Sequence, residues 1–162
     1  MIQKMEAVLR RILILVVSLQ GLALVILIGT EVFFRYIVGR ALSWPEEVLG
    51  LIFVWFTLIG VVLLTQSGEH IEFSFLISRL GPRVGKYFAV FIQAAIAFFA
   101  VLMILYGYSY AIMFLSERTP AVGINALWLN LSLPICGLLI LLYSQLNILK
   151  ILKPPGENRR EP

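Results

Sequence analysis

No aspartate occurs anywhere in the chain, and histidine and cysteine occur once each, as His70 and Cys136. One of each cannot supply the two axial ligands of a haem or the donors of a zinc site, so no metal or cofactor is expected. A lone thiol forms no internal disulfide, and lying in an apolar run it gives no information on redox compartment. Neither a phosphate-cradling glycine loop nor a nucleophile elbow is present, so no enzymatic activity is expected. Charge is scarce as well: charged residues make up 14% of the chain, against about 25% in an ordinary soluble domain. Hydrophobic residues make up 60% of it, and the mean hydropathy is +0.97. Such a chain belongs in lipid, and no polar stretch is long enough for a separate soluble domain.

Four runs carry no charge at all: Ile12–Thr30, Val48–Gly68, Tyr87–Ser116 and Thr119–Leu149. A membrane-spanning helix needs about 20 apolar residues, so the first two runs each supply one span. The last two hold 30 and 31 residues, enough for a long or tilted span but too short for two spans and a turn. The first run exceeds a signal-peptide core and lacks a small-residue cleavage pattern, so it is expected to be retained. The fold class expected is therefore an all-α integral membrane protein. Its four transmembrane helices fall at roughly 10–38, 46–67, 84–116 and 121–151, within one domain over 1–153 followed by a short cytoplasmic tail over 154–162.

The net charge of +4 lies on the flanks of these runs, which gives orientation information and no nucleic-acid footprint. With four spans both termini share a side. That side holds Lys4, Arg10, Arg11, Arg79, Arg83, Lys86, Lys150, Lys153, Arg159 and Arg160, against Arg35, Arg40 and Arg118 on the other. The positive-inside rule predicts cytoplasmic termini and an outward-facing elbow over Glu31–Glu47 and turn over Glu117–Thr119. The cytoplasmic connection, with His70 beside Glu69, is read as a short interfacial helix near 70–80. His70, Arg79, Arg83 and Lys86 are its expected headgroup or subunit anchors.

The elbow places charges, a Trp and a Pro between two apolar runs. Ser43-Trp44-Pro45-Glu46 fits a helix-capping box, and Pro45 in the first turn costs little. Glu46 and Glu47 lie at the positive end of the second helix dipole. Glu31 and Arg35 stand four apart in the favourable order for a helical ion pair. In the third span Ala89, Ala97 and Ala100 recur around Gln93, a pattern that permits close helix approach in lipid. Thr119-Pro120 is expected to start the fourth helix. Pro134 should bend it near Leu131, because the carbonyl of Asn130 loses its usual donor. Ala89, Gln93, Ala97, Ala100, Asn130 and Pro134 are thus packing candidates, against either a partner or the other spans.

A carrier of charged solutes needs polar groups near the bilayer midplane. Here every charge lies near the end of a run. Gln20, Thr57, Gln93, Ser109, Asn130 and Ser132 are the notable polar groups at depth, and bonding between helices accounts for them. Glu31 could instead serve as the proton site of a self-sufficient four-helix exporter. Its position after nineteen uncharged residues, with Arg35 one turn on, favours a surface ion pair.

Taken together, Arg35-Tyr36, Ser43-Trp44-Pro45-Glu46-Glu47, Gly68-Glu69-His70-Ile71, Thr119-Pro120-Ala121-Val122-Gly123-Ile124 and Leu133-Pro134 with Gly137 span most of the chain. In this order and spacing they resemble the small, DctQ-like membrane subunit of TRAP (tripartite ATP-independent periplasmic) transporters. Asn125 stands where a proline is common in that family, and Leu131 or its neighbours where a tyrosine is common. The resemblance implies a non-catalytic subunit in the bacterial inner membrane. Its partners would be lipids, a large separate transport subunit (the M component) and a periplasmic substrate-binding protein (the P component) that delivers organic acids for sodium-coupled uptake. It further implies that this subunit braces the scaffold around the moving part, and that its outward loops help dock the binding protein. Arg35, Arg40, Trp44, Glu46, Glu47, Arg118 and Thr119 are the docking candidates.

Overall fold

The computed structural model describes residues 2–40, 42–67 and 82–152, with side chains described from Glu6 and again from Val84 in their helices. The expected interfacial segment at 70–80, with His70 and Arg79, and the 154–162 tail lie outside the described residues, as does the side chain of Arg83. Five helices are described: α1 (Ile2–Phe33), α2 (Trp44–Ser67), α3 (Pro82–Met113), the single turn α4 (Leu127–Asn130) and α5 (Ser132–Leu152). They form four segments long and apolar enough to cross a membrane, Glu6–Val38, Trp44–Ser67, Val84–Met113 and Leu127–Leu152. A helix satisfies its own backbone, which is why apolar runs of this length become helical in lipid.

The described helices do not close into a bundle. Among the described residues α1 packs on α2, α2 on α5, and α5 on α3, giving a row in the order α1–α2–α5–α3. The bonds between them give the directions. Gln66 reaches Glu6 and Arg35 reaches Glu46, so α1 and α2 are antiparallel. Trp55 meets Trp128 and Asn147 meets Thr65, so α2 and α5 run parallel. Ser144 meets Gln93 and Lys86 meets Leu152, so α3 and α5 are antiparallel. Glu6, Gln66, Lys86 and Leu152 thus share one end of the row, and Arg35, Glu47 and the 117–126 connection share the other.

The core runs along the seams beside α5, through Ile59, Val62, Ala100, Met103, Cys136, Ile140 and Tyr143. A row one helix deep leaves large apolar side chains uncovered, Val25 at 70% and Phe91 at 69% among them. Hydrocarbon solvates such side chains as well as protein does, so helix association there relies on close packing and hydrogen bonds. Both occur at the α3–α5 seam. Gly137 lies so near α3 that an added methyl would stand 3.1 Å from the carbonyl oxygen of Ala100. Gln93, Ala97 and Ala100 are buried there, while Ala89 is half-buried. The Ser144 hydroxyl donates to the Gln93 carbonyl at 2.6 Å.

The fourth span begins later than expected. Thr119-Pro120 does not open a helix; residues 118–125 turn back on themselves, and helical structure starts at Leu127. The reason is local turn chemistry. The Thr119 side chain accepts from the Ile124 N–H at 3.0 Å, and Gly123 adopts φ +75°, so the chain reverses before it can wind. The break foreseen near Leu131 is present, between α4 and α5. Ser132 caps across it, its hydroxyl donating to the Leu129 carbonyl at 2.6 Å, and Asn130 is buried beside it. The end of α1 also departs from a plain helix: Phe34–Val38 forms a π-helical turn closed by Gly39 at φ 71°.

Candidate functional site

The end of the row that carries the 117–126 connection gathers the residues that the sequence put forward for docking. Three elements build it: the π-turn closing α1, the first turn of α2, and the connection between α3 and α4. Helix α2 begins at Trp44, so Ser43 stands just before it and Glu46 and Glu47 fall in its first turn, where the dipole favours acids. Pro45 is buried and Trp44 exposed.

The connection is a miniature antiparallel hairpin. Arg118 and Asn125 form its single bridge, the Thr119 N–H donates to the Ile124 carbonyl at 2.8 Å, and the Ala126 N–H donates to the Glu117 carbonyl at 2.9 Å. Its base is closed by Asn125, whose amide donates to the Leu115 carbonyl and whose Oδ1 accepts from the Leu127 N–H. Asn125 therefore makes an Asx turn leading into the helix, which a proline could not do.

Glu47 joins this hairpin to α2. Its Oε1 accepts from the Ala121 N–H at 2.7 Å and its Oε2 from the Val122 N–H at 2.8 Å. The Thr119 side chain stands beside the same carboxylate. Two successive backbone N–H groups turned toward one point form a concavity suited to an anion, and a carboxylate from the neighbouring helix occupies it. The sequence showed the acid and the turn but not their meeting, since 74 residues separate Glu47 from Ala121. Beneath them, the Trp55 indole N–H donates to the Trp128 carbonyl at 2.9 Å, joining α2 to the start of the fourth span.

Charges at this end are partly paired. Arg35 lies 3.4 Å from Glu31 and also 3.4 Å from Glu46, bridging α1 to α2. The Glu31–Arg35 pair has the spacing expected of it. Arg118 turns inward on its own hairpin, its Nη1 donating to the Gly123 carbonyl at 3.4 Å. Arg40 is exposed, and its backbone N–H donates to the Phe34 carbonyl at 3.1 Å, closing the π-turn. Thr119 is half-buried, its side chain engaged with Ile124 and beside Glu47.

The opposite end holds a second polar junction that sequence reasoning did not single out. The Gln66 amide donates to the Glu6 carbonyl at 3.2 Å, Asn147 donates to the Thr65 carbonyl at 2.7 Å, and Lys150 lies 3.8 Å from Glu6. Asn147 stands one turn after Tyr143 and three residues before Lys150, a spacing that marked one face of α5 and could have been noticed. Lys86 reaches the Leu152 carbonyl at 3.5 Å. Between the two ends, Thr57 and Ser109 bond back to carbonyls of their own helices, and the Oε1 of Gln20 is buried without a partner among the described residues.

No three His, Cys, Asp or Glu side chains come together among the described residues. What the molecule presents is a multi-pass membrane helix row, with charge at its ends and polar ties between its helices. Comparison with known proteins says which kind. The family model for the DctQ component of tripartite ATP-independent periplasmic transporters matches residues 24–153. The chain belongs to that family and is a small permease subunit of the TRAP type. It is 24% identical over 134 residues to the sialic acid TRAP transporter small permease protein SiaQ of Vibrio cholerae, covering 80% of this chain and 77% of that one. It is also 35% identical over 86 residues to the uncharacterised protein y4mM of Sinorhizobium fredii. That match takes in 51% of this chain and 16% of the other.

Proposed function

We propose that this chain is the non-catalytic subunit that braces the large M component of a sodium-coupled transporter in the bacterial inner membrane, with its termini in the cytoplasm. In this reading the hairpin end faces outward and helps dock the periplasmic binding protein, which delivers an organic acid. The observation that carries the reading is where the polar groups lie. Among the described residues every charge sits within about two turns of a span's end, and the Gln93–Ser144 contact at depth ties one helix of this chain to another. Such a row has no path for a charged solute of its own. The Vibrio cholerae relative is named for sialic acid, itself an acid, which supports the substrate class. Ten Lys/Arg against three in the sequence support the orientation.

Affinity purification from native membranes tests it. A co-purifying hydrophobic subunit of many helices is expected. Transport by this chain alone in lipid vesicles, abolished by Glu31→Gln, would sink the reading and establish a self-sufficient exporter. The 3.4 Å contact between Glu31 and Arg35 speaks against that outcome.

A further inference from the structure

We propose that Glu47 is a positioning residue for docking: it holds the 117–126 hairpin in its recognition shape, and the partner touches the hairpin's rim and not Glu47. The inference rests on the docking reading above and assigns roles within that surface.

The geometry separates the groups that hold from the groups that are free to be held. Both oxygens of the Glu47 carboxylate already accept from backbone N–H groups, at 2.7 and 2.8 Å. A carboxylate engaged in this way makes a poor contact for an incoming protein. The side chains around the tip are placed the other way. Pro120, Ala121 and Val122 are exposed, Val122 to 44% although apolar, whereas Arg118 is tied to its own hairpin through the Gly123 carbonyl.

The hairpin needs an external tie. Within itself it has one bridge, between Arg118 and Asn125, and a reversal at Gly123, whose N–H donates to the Thr119 carbonyl at 2.9 Å. A two-stranded ribbon this short is marginal by itself. The N–H groups of Ala121 and Val122 point away from that ladder and toward α2, where Glu47 stands. Helix α2 is in turn anchored to α1 through Arg35 and Glu46, and to the fourth span through Trp55 and Trp128. Glu47 thus connects the hairpin tip to a rigid element, which is how a loop comes to offer a preorganised surface.

The size of the effect follows from population. If loss of the tie leaves the hairpin in its docking shape about one tenth of the time, the apparent Kd rises about tenfold with no contact removed.

The experiment uses the complete membrane complex in lipid nanodiscs, as wild type, Glu47→Ala, Glu47→Gln and Val122→Ala. Two quantities are measured: hydrogen exchange at the Ala121 and Val122 amides, and the Kd for the transporter's own binding protein, isolated on immobilised wild-type complex. For Glu47→Ala, faster exchange at those two amides and a Kd raised about tenfold are expected. Glu47→Gln keeps one acceptor oxygen and should fall between on both readouts. Val122→Ala should raise Kd with the amides at positions 121 and 122 still protected. Unchanged exchange in Glu47→Ala, or fast exchange with unchanged Kd while Val122→Ala still weakens docking, overturns the inference and leaves the docking reading standing. If neither variant changes Kd, the docking reading falls with it. Should Glu47→Ala fail to assemble, the Glu47→Gln and wild-type pair decides by the same two readouts.

Discussion

Gly107 of α3 lies directly against Pro134 of α5: a methyl on Gly107 would stand 2.9 Å from Pro134 Cδ and 2.8 Å from Leu133 Cβ. The two residues that each weaken a helix meet at one point of the seam. Pro134 interrupts the fourth span, and Gly107 lets the interruption pass close to α3. Gly107→Ala should therefore destabilise the subunit by about 1–3 kcal/mol through overpacking. Gly60→Ala, where an added Cβ meets nothing within 4 Å, should be tolerated. Thermal unfolding of the two purified variants in detergent checks the contrast.

Asn147 is buried and donates to the Thr65 carbonyl at 2.7 Å, tying α5 to α2. Asn147→Ala should lower stability by about 0.6–2 kcal/mol, the range found for polar ties between helices in lipid. Cross-linking between the ends of α2 and α5 should weaken in step. A variant with wild-type melting behaviour would show that the bond contributes nothing.

Tyr143 is 5% exposed, and its hydroxyl has no hydrogen-bond partner among the described residues. A buried hydroxyl without a partner carries a desolvation cost and returns nothing for it. Tyr143→Phe should therefore be neutral or slightly stabilising in a melting experiment, whereas Tyr143→Ala should cost about 3–5 kcal/mol by opening a cavity. A marked loss with Phe would reveal a bond made through the complete assembly.

Trp55 is the donor that joins α2 to the carbonyl of Trp128, beneath the Glu47 tie. Trp55→Phe keeps most of the ring and removes the N–H, so a loss of about 1 kcal/mol is expected. The change should also speed hydrogen exchange at the start of the fourth span, near Asn130 and Leu131. Exchange confined to the hairpin would contradict this.

Much of the architecture was legible because it follows from one-dimensional patterns. Four uncharged runs gave four spans, the Glu31–Arg35 spacing gave an ion pair, and Pro134 gave the interruption at Leu131. The onset of the fourth span was misjudged at Thr119-Pro120, which read as a helix start. Thr-Pro is common there, but a side-chain cap on Ile124 and a left-handed glycine at position 123 made it a reversal instead. Ala89, Ala97 and Ala100 were visible as a small-residue face around Gln93, although nothing local said that α5 would cover it.

The sequence by itself determined that this protein crosses the membrane four times, because uncharged runs of this length become helices that satisfy their own backbone in lipid. Its charged and turn motifs also carried the family resemblance. Only the tertiary structure decided which helices are neighbours, and that they stand in an open row with α5 between α2 and α3. It alone turned Glu47 from one of two equivalent acids at a helix start into the residue that holds the hairpin. The physical reason is reach: helix periodicity relates residues three or four apart, whereas a carboxylate meeting an amide 74 positions away depends on where two helices pack.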